Sequence, residues 1–240
     1  MTTISNNLQR VHALIAGACE QAGRPAGSVH LLAVSKTFGP DAVQEAALAG
    51  QRSFGENYIQ EAVEKMAVVA EFDLPRRLEW HCIGPIQSNK TRLVAEHFDW
   101  AHTVDRLRIA QRLSDQRPES LPPLQVCIQV NLDGGANKSG VAPDETLELA
   151  REAAGLPRIV VRGLMSIPEP AADFESQLQV HQRAKRLFDD IAAQQIKGLE
   201  RFDTLSMGMT DDLAAAVQAG STMVRVGSGI FGRRHYPAAR

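Results

Sequence analysis

The sequence predicts an α/β protein that forms a closed (β/α)8 TIM barrel with an extra helix at the N-terminal end. Eight short runs of apolar and β-branched residues recur along the 240 residues, and amphipathic segments of helical length separate them. Strands that alternate with helices indicate a parallel sheet with right-handed crossovers. Eight units of roughly 30 residues use the whole chain, so we expect a single domain over residues 1–240.

The elements are predicted in order from the N-terminus. Apolar residues recur at helical spacing between residues 3 and 24, so a helix precedes the first strand. The eight strands are predicted at residues 29–35, 52–55, 79–83, 99–104, 124–131, 159–165, 203–207 and 222–226.

Prolines, glycines and one threonine mark several of the intervening helices. Pro40 begins a helix that Gly50 ends, and Pro143 precedes another. Thr210 is predicted to cap a helix that begins near residue 211 and ends at Gly220. No repeat or low-complexity linker divides the chain.

An open, doubly wound sheet is the alternative fold. Residues 227–232, GSGIFG, match the G-x-G-x-x-G pattern of dinucleotide-binding proteins. That pattern is meaningful where it begins a βαβ unit with an acidic residue about 20 positions later. Only eight residues follow Gly232, so we reject this interpretation.

Composition excludes several classes of partner. The net charge of -2 gives no electrostatic reason to expect a nucleic acid or an anionic membrane. The N-terminus lacks the pattern of an export signal, and no apolar run approaches the about 18 residues of a membrane span. Three cysteines are scattered singly, so neither a disulfide framework nor a zinc site is expected. We expect a cytoplasmic monomer.

Lys36 follows the first predicted strand, at the end where barrel enzymes build their sites. Among the six lysines, it alone directly follows a fully apolar strand. An ordinary lysine has a pKa near 10.4 and is rarely neutral, but burial or a neighbouring cation lowers that pKa and makes the amine a nucleophile. The alternative is a solvated lysine that happens to follow a strand.

The loops after the last two strands have the composition of a phosphate site. Ser206 and Thr210 offer hydroxyl groups after the seventh strand, and Gly227, Ser228 and Gly229 can present successive amides after the eighth. The alternative is that these residues are an ordinary helix cap and ordinary turns.

An amine and an anion cradle at one barrel mouth indicate a ligand with an aldehyde and a phosphate, and pyridoxal 5′-phosphate (PLP) is such a ligand. Arg225 precedes the second phosphate loop, and PLP proteins place either an acid or an arginine against the pyridine nitrogen. The alternative is an ion pair between Arg225 and a barrel carboxylate such as Glu56 or Asp203.

Seven motifs, in order along nearly the whole chain, resemble those of the pyridoxal phosphate homeostasis (YggS-like) proteins, whose barrel is similar to the N-terminal domain of alanine racemase. The motifs are AVSKT (33–37), FGENYIQEA (54–62), WHCIGPIQSNK (80–90), QVN with KSG (129–131 and 138–140), GLMSIP (163–168), LSMGMTDD (205–212) and GSTMVRVGSGIFGRR (220–234).

The resemblance implies a PLP fold type III barrel in which Lys36 forms a Schiff base with the cofactor. It also implies that Ser206, Gly227 and Ser228 hold the phosphate, that Arg225 faces the pyridine nitrogen and that Asn57 lies near the ring. His81 is either a core histidine or a ligand contact.

One departure from the family pattern lies after the fifth strand. The family commonly carries a glutamate there, whereas this chain has Gly135, so we expect Lys138 to lack a nearby helical partner. A regulatory role of this segment is therefore not expected.

The resemblance favours a PLP carrier over an enzyme. Alanine racemases take a second catalytic base, a tyrosine, from a separate domain, and neither Tyr58 nor Tyr236 has the context of such a base. We expect reversible binding, with buffering of PLP or its delivery to PLP-dependent apoenzymes, and little or no turnover. The alternatives are a weak amino-acid racemase and a Schiff-base aldolase, although the sixth strand ends LMSIP without an amine.

Overall fold

The computed structural model describes residues 2–134 and 139–232, and its eight parallel strands close into a barrel in chain order. The predicted (β/α)8 barrel is thus confirmed, with each strand within one residue of its predicted ends. The strands are β1 (His30–Val34), β2 (Ser53–Glu56), β3 (Glu79–Cys82), β4 (Trp100–Val104), β5 (Leu124–Val130), β6 (Ile159–Ser166), β7 (Thr204–Ser206) and β8 (Met223–Val226).

Helices precede the first strand and follow every strand. They are α1 (Thr3–Gln21), α2 (Pro40–Leu48), α3 (Ile59–Val69), α4 (Thr91–His97), α5 (Leu107–Gln116), α6 (Thr146–Ala154), α7 (Phe174–Ala193), α8 (Leu213–Gln218) and α9 (Ser228–Phe231), with short 3₁₀ turns at Ser88–Lys90 and Pro143–Glu145. The extra N-terminal helix is confirmed. In the described ranges, none of these helices has both the length and the apolar character needed to cross a membrane.

The predicted cap of α8 was wrong. The helix begins at Leu213, and Asp212 rather than Thr210 occupies the N-cap position. The carboxylate of Asp212 accepts a hydrogen bond from the amide of Met209 at 2.6 Å, which closes a turn before the helix can start. Thr210 lies within that turn and is exposed.

Pairing of the first and last strands closes the barrel. Leu31 pairs with Val224 and Ala33 pairs with Val226 in a parallel register. Since the carboxyl ends of parallel strands meet at one edge, the loop after β1 lies beside the loop after β8. Residues about 190 positions apart in the sequence thus share one end of the barrel.

Successive side chains of a strand point to opposite sides of the sheet, so β1 contributes to two separate apolar clusters. Leu31 and Ala33 of β1 join the large apolar cluster between strands and helices, while Leu32 and Val34 belong to a small separate cluster with Met223. Residues of the second set face the barrel interior. Polar side chains that share this interior form the floor of the site.

Candidate functional site

A cavity of about 270 Å³ opens at the carboxyl end of the barrel, between the loops after β1, β2, β7 and β8. This volume is slightly below the range of about 300–1,000 Å³ that is usual for ligand sites. Its walls are formed by Val34, Lys36, Phe38, Asn57, Ile83, Ile167, Met209, Thr210, Asp211, Arg225, Gly227, Ser228 and Gly232. The structure therefore brings together five of the six predicted site residues, and the sixth, Ser206, is not part of the wall.

Lys36 reaches the cavity from a tight turn after β1. The turn is closed by a hydrogen bond from the amide of Phe38 to the carbonyl of Ser35 at 3.1 Å. Its next residue, Thr37, has a φ of 68°, in the left-handed region that β-branched residues rarely adopt. The ring of Phe38 stacks on Phe231 of α9 with centroids 5.1 Å apart, so the lysine turn packs against the loop after β8.

The opposite side of the cavity presents backbone donors. Within residues 2–134 and 139–232, the amides of Ser228 and Gly229 donate to no acceptor, as expected for the first turn of a helix. A Cβ on Gly227 would lie 3.2 Å from the carbonyl of Val34, so glycine permits this close approach to β1. Thr210 adds a hydroxyl group from the loop after β7. Together these donors suit a phosphate.

Arg225 lies on β8 at the floor of the cavity and is only 4% exposed. Its Nη1 donates to Oγ of Ser206 at 2.8 Å, and its Nη2 donates to the carbonyl of Ser166 at 2.9 Å. Burial lowers the pKa of Arg225 to about 10, with partial compensation from the carboxylate of Asp212. The guanidinium is therefore still a cation at neutral pH.

The alternative that paired Arg225 with Glu56 or Asp203 was wrong, because other cations hold both carboxylates. Lys65 lies 2.7 Å from Glu56. Nη2 of Arg162 donates to both carboxylate oxygens of Asp203, at 2.7 and 2.8 Å. Arg225 thus keeps no carboxylate in direct contact within the described residues.

A chain of hydrogen bonds runs from Arg225 through the barrel. The Oγ of Ser206 lies 3.1 Å from Nδ1 of His102, whose Nε2 lies 2.9 Å from Nδ1 of His81. The Nε2 of His81 lies 3.1 Å from Glu79. Since the guanidinium and the carboxylate fix the two ends, Ser206 donates to His102, His102 to His81 and His81 to Glu79, each histidine carrying its proton on Nε2.

The ionisation states along this chain agree with its direction. Burial lowers the pKa of His81 and brings that of His102 well below its usual value, so both rings are neutral. The hydrogen bond from His81 lowers the pKa of Glu79 to about 2. His81 is therefore a core histidine with both nitrogens satisfied, and it stacks on Trp100 with ring centroids 5.2 Å apart.

Ser206 and two buried oxygen atoms bear on whether a cofactor fits. The hydroxyl of Ser206 is fully buried and already bonded to Arg225 and His102, so it supports the arginine from below the cavity. By contrast, Oδ1 of Asn57 and Oγ of Ser166 are buried without a hydrogen-bond partner in the described part of the chain. An unpaired buried oxygen is costly unless a ligand or water satisfies it.

The residues present fit a flat, phosphorylated aldehyde. Lys36 supplies an amine on the β1 side, and the amide of Ser228 and the hydroxyl of Thr210 supply anion donors. Arg225 supplies a fixed cation on the floor, and Asn57 an unsatisfied oxygen in the wall. PLP carries one group for each: an aldehyde, a phosphate, a ring nitrogen and a ring hydroxyl.

Sequence reasoning missed Lys65, His102 and Ile83. A lysine on an amphipathic helix and a histidine inside a strand gave no local signal, whereas Ile83 directly follows β3 and could have been included on position alone. Gly135, Lys138 and Tyr236, about which the sequence raised predictions, lie outside the described residues.

The comparisons with known proteins agree with the geometry of the site. The sequence profile of the family described as "Alanine racemase, N-terminal domain" matches residues 6–235. The Pyridoxal phosphate homeostasis protein of Pseudomonas aeruginosa is 54% identical over 99% of both chains. The protein of that name from Vibrio alginolyticus is 53% identical over 98% of this chain and 100% of its own length.

A solved structure gives a further likeness. PipY of Synechococcus elongatus, determined with PLP bound, superposes with a TM-score of 0.81 at 34% identity and covers 95% of this chain and 100% of its own. The sequence motifs, the closed barrel and these relatives agree. The chain belongs to the family of pyridoxal phosphate homeostasis proteins, with the barrel of the alanine racemase N-terminal domain.

Proposed function

We propose that this protein binds PLP reversibly through Lys36 and takes part in PLP homeostasis, by buffering the cofactor or delivering it. The observation that carries the proposal is that Lys36 lines the same cavity as Gly227 and Ser228, where the amide of Ser228 donates to no acceptor in the described residues. When bound, PLP supplies an aldehyde that condenses reversibly with a primary amine. The name shared by the curated relatives and the PLP bound to PipY support this function.

In this proposal the residues predicted from the sequence keep their roles, except that Ser206 changes its role. Lys36 holds the aldehyde end, and Gly227 and Ser228 hold the phosphate. Arg225 faces the pyridine nitrogen, and Asn57 satisfies its oxygen against the ring hydroxyl. Ser206 moves from the phosphate to the support of Arg225, because its hydroxyl is buried below the cavity, and Thr210 replaces it as the hydroxyl from the β7 loop.

We propose that catalysis is not the main role. A guanidinium with a pKa of about 10 does not yield a proton to the pyridine nitrogen at neutral pH, so the ring is a weak electron sink. Tyr58, which the sequence did not mark as a second base, is 53% exposed and does not line the cavity. The racemase alternative is not supported, since the curated relatives are named for homeostasis.

The covalent attachment is tested by reduction. Protein loaded with PLP should be yellow, and borohydride should fix the cofactor to Lys36, as located by mass spectrometry of peptides. Lys36→Ala should lose this adduct while Lys197→Ala, which changes an exposed lysine, keeps it. Retention of the same reducible adduct by Lys36→Ala would contradict the assignment.

The carrier role is tested by transfer. Protein loaded with PLP should reactivate a PLP-dependent apoenzyme, and the rate is compared with that of free PLP at equal concentration. We expect transfer without measurable exchange of the Cα proton of alanine or serine with solvent deuterium. Exchange well above that caused by free PLP would favour an enzyme. We further propose that the acceptors are cytoplasmic PLP-dependent apoenzymes and that the protein acts as a monomer.

A further inference from the structure

A cluster of charges centred on a buried lysine lies beneath the turn that carries Lys36. Lys65 of α3 is 5% exposed, and its Nζ lies 2.7 Å from Oε1 of Glu56 and 3.6 Å from Oε1 of Glu61. The same Nζ donates to the carbonyl of Ser35 at 2.9 Å. We call Lys65, Glu56 and Glu61 the Lys65 cluster.

The Lys65 cluster binds both residues that flank Lys36. On one side, the hydroxyl of Ser35 donates to Oε1 of Glu56 at 2.6 Å, and its carbonyl accepts from Lys65. On the other side, the amide of Thr37 donates to Oε1 of Glu61 at 3.1 Å. The cluster thus fixes the backbone immediately before and immediately after the amine-bearing residue.

This backbone needs such support. Thr37 has a φ of 68°, a conformation that is costly for a β-branched residue and persists only where its surroundings over-determine it. Burying a lysine is also costly unless several partners satisfy its ammonium group. Lys65 donates to the carbonyl of Ser35, which directly follows β1, and to Glu56, the last residue of β2.

We propose that Lys65 is a positioning residue for Lys36: through Ser35, Glu56 and Glu61 it holds the turn that directs the amine of Lys36 into the cofactor cavity. This inference rests on the proposed binding of PLP by Lys36. Lys65 itself does not line the cavity, so it acts through the turn and touches no ligand.

The test separates positioning from simple stabilisation. Lys65→Met and Glu61→Ala are compared with wild type in the dissociation constant of PLP, in melting temperature, and in amide hydrogen exchange of the apoprotein around Thr37. We expect each variant that folds to bind PLP on the order of tenfold or more weakly, because a displaced reacting group loses its alignment. Exchange should become faster at residues 35–38 while the amides of the other barrel strands exchange as in wild type.

One control variant and one fallback variant complete the comparison. Lys185→Met removes a lysine whose ion pair with Asp189, at 2.5 Å, lies on α7 away from the cavity. It should leave PLP affinity unchanged. Glu61→Ala keeps the pair of Lys65 with Glu56, and the side chain of Glu61 is 43% exposed, so this variant decides the question if Lys65→Met does not fold.

Wild-type affinity for PLP in folded Lys65→Met would overturn the inference. If that variant does not fold, wild-type affinity in Glu61→Ala would do so. Failure of the proposed function looks different, since borohydride would then fix no cofactor to Lys36 in the wild-type protein. The exchange measurement needs no cofactor and reports on the turn in either case.

Discussion

Arg225 is held inside the barrel by two neutral oxygen atoms, from Ser206 and Ser166, at 2.8 and 2.9 Å. Ser206 in turn donates to His102, and this series of hydrogen bonds ends at the carboxylate of Glu79 on the amino-terminal side of the barrel. The position of the guanidinium therefore depends on groups that never reach the cavity.

The two serines predicted for the phosphate should behave differently when changed to alanine. Ser206→Ala leaves a buried guanidinium donor and a buried histidine nitrogen without a partner, and should lower the free energy of unfolding by about 1–3 kcal/mol. Ser228→Ala is the matched control, since Ser228 is exposed. It should change stability by less than about 0.5 kcal/mol and should weaken PLP binding. Urea unfolding and absorbance titration measure the two effects.

Stability should depend on pH through the buried histidines. Burial lowers the pKa of His81 and His102 below 6.5, so the unfolded chain takes up protons that the folded chain does not. The free energy of unfolding should therefore keep its full value above pH 6.5. Below pH 6.5 it should fall by up to about 1.4 kcal/mol per pH unit for each histidine.

Urea unfolding at a series of pH values from about 8 to about 5 measures this loss. His12→Asn, which changes an exposed histidine, should leave the slope as it is. A free energy of unfolding that stays constant below pH 6.5 would show that the two rings are protonated in the folded protein.

At the level of single residues, the sequence could not predict which way a side chain points or which partner it contacts. Arg225 was identified because an arginine on a buried strand is unusual, but its partners are a hydroxyl and a carbonyl, which composition cannot single out. All three residues of β7 are buried, so the sequence did not show that Ser206 faces the barrel interior rather than the loop.

At the scale of elements, the loops after β2 and β3 touch at Gly84. A Cβ on Gly84 would overlap the backbone carbonyl of Asn57, which cannot move as a flexible side chain would. Gly84→Ala should therefore displace Asn57, lower the free energy of unfolding by about 1–3 kcal/mol and weaken PLP binding.

Gly17→Ala is the control for this substitution. Gly17 lies in α1 with open space where a Cβ would be, so alanine should raise the free energy of unfolding by about 0.5–1 kcal/mol. The two variants are compared by urea unfolding and by PLP titration. Equal stability of both would show that the contact at Gly84 is easily relieved.

Elements with a strong pattern were predicted well, and their junctions less well. Every strand is a short run of mostly buried residues, as parallel strands covered by helices require. The start of α8 differed from the prediction because Asp212 accepts a hydrogen bond from the amide of Met209, three residues earlier. This turn places Thr210 before the helix, so Asp212 and not Thr210 takes the N-cap position. Lys65 lies on α3 at a position that the helical pattern alone does not distinguish from a surface site.

At the scale of the molecule, ligand binding should stabilise the barrel only when both ends of the ligand engage. Saturation with PLP at about 100 times its dissociation constant adds about 2.7 kcal/mol to the free energy of unfolding. Pyridoxal lacks the phosphate and pyridoxamine 5′-phosphate lacks the aldehyde, so each should raise the melting temperature less than PLP at equal concentration. An equal shift with pyridoxal would show that the loop at Gly227 and Ser228 contributes nothing.

The barrel itself could be predicted because its eight units repeat one pattern, and closure then follows from strand number and twist. The assembly of Lys36 with Gly227 and Ser228 also follows, since β1 and β8 must be neighbours in a closed barrel of this order. What could not be predicted are interactions inside the barrel and beneath the rim, because they depend on rotamers and on which of several carboxylates each cation reaches.

The pairing of β1 with β8 also sets when the molecule can act during its synthesis. The amine is made early and its anion-binding counterpart is made last, so a chain still lacking β8 holds one half of the site. Under the proposed function, a nascent chain that still lacks β8 presents the amine without the loop that binds the phosphate, so we expect it to hold the vitamin derivative only weakly until the final strand docks.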